Sequence, residues 1–248
     1  MIVRILKESS IDYPGKFGPV IFTSACNFKC GFCHNAILNK LEKLDEDKLI
    51  DDLKIKSKSN WYNGVCITGG EPTIYSGLEN FIRKLKKLNL DVKLDTNASN
   101  PDVLRKLINE KLIDYVAVDI KSDKEHYSEV AQVNVDLQKI EESLKILSSF
   151  GVKNFELRTT IPLIKNAGKL RCLNEQEADK MAEWVFSLIP NKELKWVLQE
   201  FVSRVKEEVN DESFSLEKLS KDLQKTPQSV LENLQKVISK YFPNCRIR

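Results

Sequence analysis

The chain has 248 residues, 42% of them hydrophobic, which suits one sizeable domain with its own core. Charged residues are 30% of the chain, yet the formal net charge is only +3. Its 39 Lys and Arg are interleaved with Asp and Glu along helical segments. That balance gives no footing for nucleic acid or an anionic membrane. No run approaches the ~20 apolar residues that span a bilayer. The opening Met1–Glu8 sets charges inside its apolar stretch, unlike a signal peptide. The expected location is therefore cytoplasmic, where cysteines more often bind metal or catalyse than form disulfides.

Ile2 to Leu6 predicts an opening strand, followed by the turn signal Asp12-Tyr13-Pro14-Gly15. Gly18 to Ser24 reads as a buried strand that runs into a cysteine-rich loop. From Asp45 the chain turns helical, with Leu49, Ile50 and Leu53 at helical spacing behind an Asp cap. Gly64 to Thr68 is a short buried strand ending in Gly69-Gly70-Glu71-Pro72. Leu78, Phe81, Ile82, Leu85 and Leu88 form one helix face. Leu90 to Leu94 is a strand ending at Asp95-Thr96-Asn97, and Asn100-Pro101 starts the next helix.

Tyr115 to Val118 is a strand ending at Asp119-Ile120-Lys121. Leu137, Ile140, Leu144 and Leu147 mark a helix closed by Gly151. Val152 to Ile161 is a strand carrying Arg158 and stopped by Pro162. Asn174 caps a helix with Ala178, Met181, Ala182, Val185 and Phe186 inside. Leu194 to Phe201 ends the series. Beyond it, Leu216 to Leu223 and Ser229 to Tyr241 read as helices and Cys245 to Arg248 as a strand.

About six strand–helix alternations argue for an α/β fold with a parallel sheet and right-handed crossovers. With no Gly-x-Gly-x-x-Gly loop, an incomplete (β/α)6 barrel fits better than a dinucleotide-binding sheet. The polar motifs fall at strand C-terminal ends, where parallel α/β folds build their sites. The expected organisation is a partial barrel over residues 1–201 and a C-terminal helical extension over 202–248, packed on the barrel.

Cys26-Asn27-Phe28-Lys29-Cys30-Gly31-Phe32-Cys33-His34 places three thiols in a short window after an apolar strand. Three thiolates this close suit a soft metal centre. A structural zinc site wants four closed ligands. His34 adjoins Cys33, and adjacent side chains rarely reach one tetrahedral ion together. Cys66, Cys172 and Cys245 are distant in sequence and read as ordinary core or surface residues. A [4Fe–4S] cube normally takes four thiolates, so three leave one iron open to a substrate or cofactor. The spacing favours that reading over zinc.

Cys26-x3-Cys30-x-Phe32-Cys33 resembles the signature of the radical S-adenosylmethionine (SAM) superfamily. Gly69-Gly70-Glu71-Pro72 is similar to its second motif and ends the following strand. Alone, that second motif would signal only a tight strand-to-helix turn. Asp12-Tyr13-Pro14-Gly15 and Cys33-His34-Asn35 resemble the glycyl-radical-enzyme activases within the superfamily, such as those of anaerobic ribonucleotide reductase and pyruvate formate-lyase. The resemblance covers Ile11 to Phe201.

The resemblance implies one [4Fe–4S] cluster held by Cys26, Cys30 and Cys33, with SAM chelating the open iron. Reductive cleavage would yield a 5′-deoxyadenosyl radical that removes a hydrogen from a glycine of a partner enzyme. It implies that Gly69, Gly70 and Glu71 meet the SAM amino group and that Phe32 and His34 contact adenine. Asp95, Thr96 and Asp119 would converge near the SAM carboxylate, with a monovalent cation between the acids or Lys121 neutralising part of their charge. Each Asp alone could instead cap a helix. Arg158, on a buried strand, should face an anion, either the SAM carboxylate or an internal Asp or Glu. Gln199 would reach the ribose or the tail of SAM. Asp12 and Tyr13 would border the mouth that admits the substrate. Positions 34–65 hold no cysteine, so no second cluster is expected and the electron must come from a ferredoxin or flavodoxin. The competing readings are a radical SAM enzyme acting on a small molecule and a zinc-stabilised binding module without catalysis.

Overall fold

The structure is a computed structural model that describes residues 1–59, 61–161, 163–166, 169–201 and 225–248. In chain order its strands are β1 (Ile2–Ser9), β2 (Gly18–Thr23), β3 (Gly64–Gly69), β4 (Asp91–Thr96), β5 (Tyr115–Asp119), β6 (Phe155–Thr160), β7 (Leu163–Asn166), β8 (Lys169–Cys172), β9 (Lys195–Gln199) and β10 (Cys245–Ile247). Its helices are α1 (Glu46–Lys58), α2 (Leu78–Lys86), α3 (Pro101–Asn109), α4 (Tyr127–Ala131), α5 (Leu137–Phe150), α6 (Glu175–Leu188) and α7 (Gln228–Ser239). The chain divides into two compact units. Unit 1 is Met1–Asn27, Leu38–Val118 and Gln138–Phe155; unit 2 is Phe28–Ile37, Asp119–Leu137 and Glu156–Arg248.

In unit 1, β2, β3, β4 and β5 are neighbours in that order and parallel. Val20, Ile21, Val65, Ile67, Val92, Leu94, Val116 and Val118 are each at most 2% exposed. Strands of a parallel sheet are covered on both faces, which is why they read as continuous apolar runs. β1, the opening strand outside that series, pairs antiparallel with β2. The Ser10–Phe17 connection is shorter than the roughly dozen residues a parallel crossover needs. α1 starts where Asp45 accepts the N–H groups of Asp47 and Lys48 at 3.0 and 3.1 Å. α2 buries Leu78, Phe81, Ile82 and Leu85. Pro101 opens α3, but the Asn100 amide makes no cap; it donates to Thr73 Oγ1 at 2.8 Å.

In unit 2, β6 and β10 flank β9, both parallel to it. A hairpin, β7–β8, follows β6 with Leu163 opposite Cys172; the sequence reading had no strand there. Asn174 and Glu177 form a reciprocal capping box at the start of α6. α7 packs against α6 and β10, so this part of the tail contributes a strand as well as a helix. The helix expected over Leu216–Leu223 and the strand stop at Pro162 lie outside the described residues. No helix among the described residues is long and apolar enough to cross a membrane.

Candidate functional site

Within unit 1 the cysteine loop leaves β2 through Ala25, whose φ of 65° is left-handed and unusual for a residue with a Cβ. Two partners hold it there. The Ala25 N–H donates to Asn39 Oδ1 at 2.7 Å, and its carbonyl accepts the Glu71 N–H at 2.8 Å. The Gly70 N–H donates to Thr23 O at 2.9 Å. A Cβ on Gly70 would lie 1.7 Å from Ala25 O, and one on Gly69 2.3 Å from Thr23 O. The glycine pair therefore lets the end of β3 lie against the backbone that leads to Cys26.

Glu71 is 1% exposed and its carboxylate is surrounded by donors of unit 1. Oε1 accepts from the Thr73 N–H at 3.1 Å, Thr73 Oγ1 at 2.5 Å and Thr96 Oγ1 at 2.7 Å. Oε2 accepts the Asn97 N–H at 2.6 Å. Burial pushes the carboxyl up from its ordinary range, and the bonds from Asn97, Thr73 and Thr96 oppose that. The bracing continues through Asn97, which the sequence reading left without a role. Its amide donates to Asn27 Oδ1 at 2.9 Å and to Cys26 Sγ at 3.9 Å, while its Oδ1 accepts the Ser99 N–H at 3.0 Å. Second motif and first cysteine are thus joined through the end of β4. Ala98, next along, is also left-handed, with φ 60°. Its carbonyl accepts Ser143 Oγ from α5 at 2.7 Å.

Among the described helices whose N-cap is assigned, none is capped by Asp95. It is ion-paired with Lys93, two residues back on the same face of β4, and Lys93 is only 1% exposed. Lys93 Nζ also lies 3.7 Å from Cys66 Sγ.

The turn at Asp12–Gly15 sits elsewhere in unit 1. Ser9 Oγ donates to Asp12 at 2.5 Å, and the Tyr13 ring packs on Tyr115 with centroids 5.9 Å apart. Tyr13 is 8% exposed and borders Gly64. Gly64 and Tyr115 begin β3 and β5. A strand of six residues spans roughly 20 Å, so the turn lies at the opposite end of β3 from Gly69. Packing on Tyr115 and Gly64 thus holds Tyr13 where β3 and β5 begin.

Unit 2 gathers the other group. The Cys33 N–H donates to Cys30 O at 3.1 Å, so Cys30 and Cys33 share a tight turn, with Cys33 exposed and Cys30 partly covered. Burial pushes the Cys30 thiol up; Lys121 acts the other way, and Cys33 and Asp119 add to the rise. The Phe32 and His34 rings both meet Phe201, edge-on at 6.5 Å and stacked at 5.8 Å. Phe201 is a further ring of this group that the sequence reading left unassigned. Lys121 Nζ lies 6.0 Å from the Phe32 ring centre and 3.2 Å from Asp119 Oδ2. Burial works against that ammonium, but Asp119, Cys30 and Tyr127 hold it charged and carry its pKa upward. Arg158 Nε donates to Asp119 Oδ1 at 3.0 Å. The internal anion foreseen as one option for Arg158 is therefore Asp119. Gln199 ends β9, accepting from Thr160 Oγ1 at 3.4 Å.

The remaining cysteines behave as core or surface residues. Cys66 and Cys245 are buried, and burial pushes the Cys245 thiol up to about 12. An open groove of ≈ 860 Å³ in unit 1, walled by Asp45, Tyr75, Arg83 and Lys84, holds none of the motif residues.

Residues 20–169 match the model of the radical SAM superfamily. The chain belongs to that superfamily. A protein of Methanocaldococcus jannaschii, named provisionally as a glycyl-radical enzyme activating enzyme, is 29% identical over 255 aligned residues, covering 100% of this chain and 95% of its own. The GTP 3′,8-cyclase of Helicobacter pylori is 29% identical over 177, covering 66% of this chain and 50% of its own. Streptococcus suis SuiB bound to its precursor peptide superposes with a TM-score of 0.61 at 17% identity, over 92% of this chain and 48% of that one. Escherichia coli coproporphyrinogen III oxidase does so at 0.55 and 13%, over 90% and 51%. This chain thus spans about half the length of these solved structures. The likenesses agree with the expected class, α/β with an open, mostly parallel sheet.

Members of this superfamily use SAM and a [4Fe–4S] cluster. The donor set here fits such a cluster. Three thiols lie on one loop, Cys33 is exposed, and an Asn97 N–H is directed at the Cys26 sulfur.

Proposed function

We propose that this radical SAM enzyme is an activase that installs a glycyl radical on a partner enzyme, with anaerobic ribonucleotide reductase as its first candidate target. The observation that carries the reading is the end-to-end alignment with the Methanocaldococcus jannaschii protein, 100% of this chain and 95% of that one. The cyclase likeness stops at 66% of this chain and half of the cyclase, as a shared catalytic core would. That contrast favours a protein substrate over a small molecule.

In this reading Cys26, Cys30 and Cys33 hold the cluster, and the Gly69–Gly70 backbone faces the SAM amino group. Glu71 acts from behind, as an anchor for Asn97 and Thr96. Asp119, set by Lys121 and Arg158, orients the SAM carboxylate end together with Asp95 and Thr96. Phe32 and His34, backed by Phe201, offer ring surface to adenine, and Gln199 a polar contact to the ribose. When bound, the cluster and SAM supply one-electron chemistry that ends in hydrogen abstraction. The chain's own residues ligate, orient and exclude water. We assign the electron supply to a ferredoxin or flavodoxin and the location to the cytoplasm, the reducing compartment that suits free thiols.

The test is anaerobic reconstitution of the full chain followed by reduction with SAM present. The expected products are methionine and 5′-deoxyadenosine, and a glycyl signal in electron paramagnetic resonance when the reductase is added. Cys30→Ala should abolish SAM cleavage, because two thiolates do not hold a site-differentiated cube. A colourless, zinc-loaded protein without a cluster signal would overturn the reading. Cleavage of SAM with no radical on either the reductase or pyruvate formate-lyase would favour a small-molecule substrate.

A further inference from the structure

We propose that Lys93 is a built-in counter-ion that takes the place of an alkali cation at Asp95, so that SAM binding by this chain needs no added potassium or sodium. The inference rests on the SAM-binding role proposed above.

Clustered carboxylates near the SAM carboxylate call for positive charge, and a monovalent ion is one way to supply it. The structure supplies it differently. Lys93 is 1% exposed, in the middle of β4, with Val92 and Leu94 on either side fully buried. A buried ammonium is costly unless an anion and hydrogen-bond acceptors face it. Asp95, 9% exposed, is that anion: its Oδ1 is ion-paired with Lys93 Nζ, and Cys66 Sγ lies 3.7 Å from the same nitrogen. The alternation of a strand fixes this geometry, because residues two apart project from one face. Lys93 and Asp95 therefore meet without any rearrangement of the backbone.

The second aspartate expected to share such an ion is also matched. Asp119 has Lys121 at 3.2 Å on Oδ2 and Arg158 at 3.0 Å on Oδ1. Both acids thus face cationic side chains of their own unit. An alkali ion brought to Asp95 would meet the Lys93 ammonium as a like charge, in surroundings that screen it poorly. An ammonium and a potassium ion are similar in size and equal in charge, so the lysine can serve the same electrostatic purpose. The residues do not fit an added cation at Asp95.

The experiment measures SAM binding to the cluster-loaded, oxidised full chain, where no cleavage occurs. Calorimetric titrations would be run in potassium chloride and in tetramethylammonium chloride at equal ionic strength. The wild-type dissociation constant should agree within about twofold between the two salts. Lys93→Met should bind at least tenfold more weakly in tetramethylammonium and recover in potassium, which then takes the vacated place. Lys93→Arg should stay indifferent to the salt. A second readout avoids the cofactors altogether: potassium should raise the thermal midpoint of cluster-free Lys93→Met and leave that of the wild type unchanged.

Wild-type binding that is tenfold tighter in potassium or sodium would overturn the inference and leave the proposed function standing. So would a Lys93→Met chain that binds SAM normally in both salts. If Lys93→Met does not fold, the wild-type comparison decides alone. Absence of SAM binding in either salt, with the cluster loaded, would overturn the proposed function and this inference together.

Discussion

Glu71 Oε2 accepts the backbone N–H of Asn97 at 2.6 Å, and this bond ties the end of β3 to the end of β4. A glutamine cannot replace it. Whichever way the amide turns, its NH2 faces either the Asn97 N–H or the Thr73 and Thr96 donors. Glu71→Gln should cost about 2–3 kcal/mol, the range for losing a buried charged acceptor. Thermal denaturation of the cluster-free chain checks this. Iron content should fall too, since a displaced Asn97 no longer donates to Cys26 Sγ. An unchanged melting temperature would refute the anchoring role.

Gly70→Ala tests the closeness of β3 to the cysteine loop. The new methyl would sit 1.7 Å from Ala25 O. Relief requires breaking the Glu71 N–H to Ala25 O bond, the Gly70 N–H to Thr23 O bond, or both. A loss of about 3 kcal/mol is expected from overpacking plus broken hydrogen bonds. Because Ala25 precedes Cys26 directly, cluster loading should fall along with stability. Iron quantitation and circular dichroism melts on one preparation would show both.

Arg158→Ala separates support of SAM from support of the fold. Without Arg158, Asp119 retains Lys121 alone among the cations of its unit described above. SAM affinity should weaken about tenfold, near 1.4 kcal/mol, with iron content retained. If the fold or the iron is lost instead, the Arg158–Asp119 pair is a structural brace only.

Glu177 gives a pH signature outside the cysteine region. Burial alone would raise its pKa, but the Arg171 guanidinium and the Asn174 N–H, at 2.9 Å, win and hold it below the ordinary carboxylate range. The folded state therefore binds the proton more weakly than the unfolded chain does. That contribution is present above the unfolded value, about 4.3, and is lost as pH falls through the lower folded value. The wild type should lose melting temperature on acidification through this window, and Glu177→Gln should show a flatter profile. Parallel slopes would mean that other carboxylates set the acid limb.

The sequence made the local features legible. Cys26, Cys30 and Cys33 stand out by spacing, and Gly69-Gly70-Glu71 by following an apolar strand. The Asn174 cap and the Gly151 helix end were also readable, since each depends on neighbours within a few positions. Lys93 was not readable. Asp91, Lys93 and Asp95 alternate with Val92 and Leu94, which looks like the solvent side of a strand, whereas Lys93 and Asp95 form a buried pair. Nor was the setting of Tyr13, because its packing on Tyr115 joins positions far apart along the chain. Phe201 reads as a strand end until the structure sets Phe32 and His34 against it.

Unit 1 is assembled from three separate stretches, the last of them Gln138–Phe155. The Val116 N–H needs the Asn154 carbonyl at 2.9 Å, and the Ala98 carbonyl receives Ser143 Oγ. During synthesis, β2 to β5 therefore emerge from the ribosome before the segment that completes their hydrogen bonding. A nascent chain halted near Val118 would display apolar strands awaiting α5, a species on which chaperones act. Arrest of translation on either side of Phe155 should thus separate protease-sensitive from protease-resistant forms of unit 1.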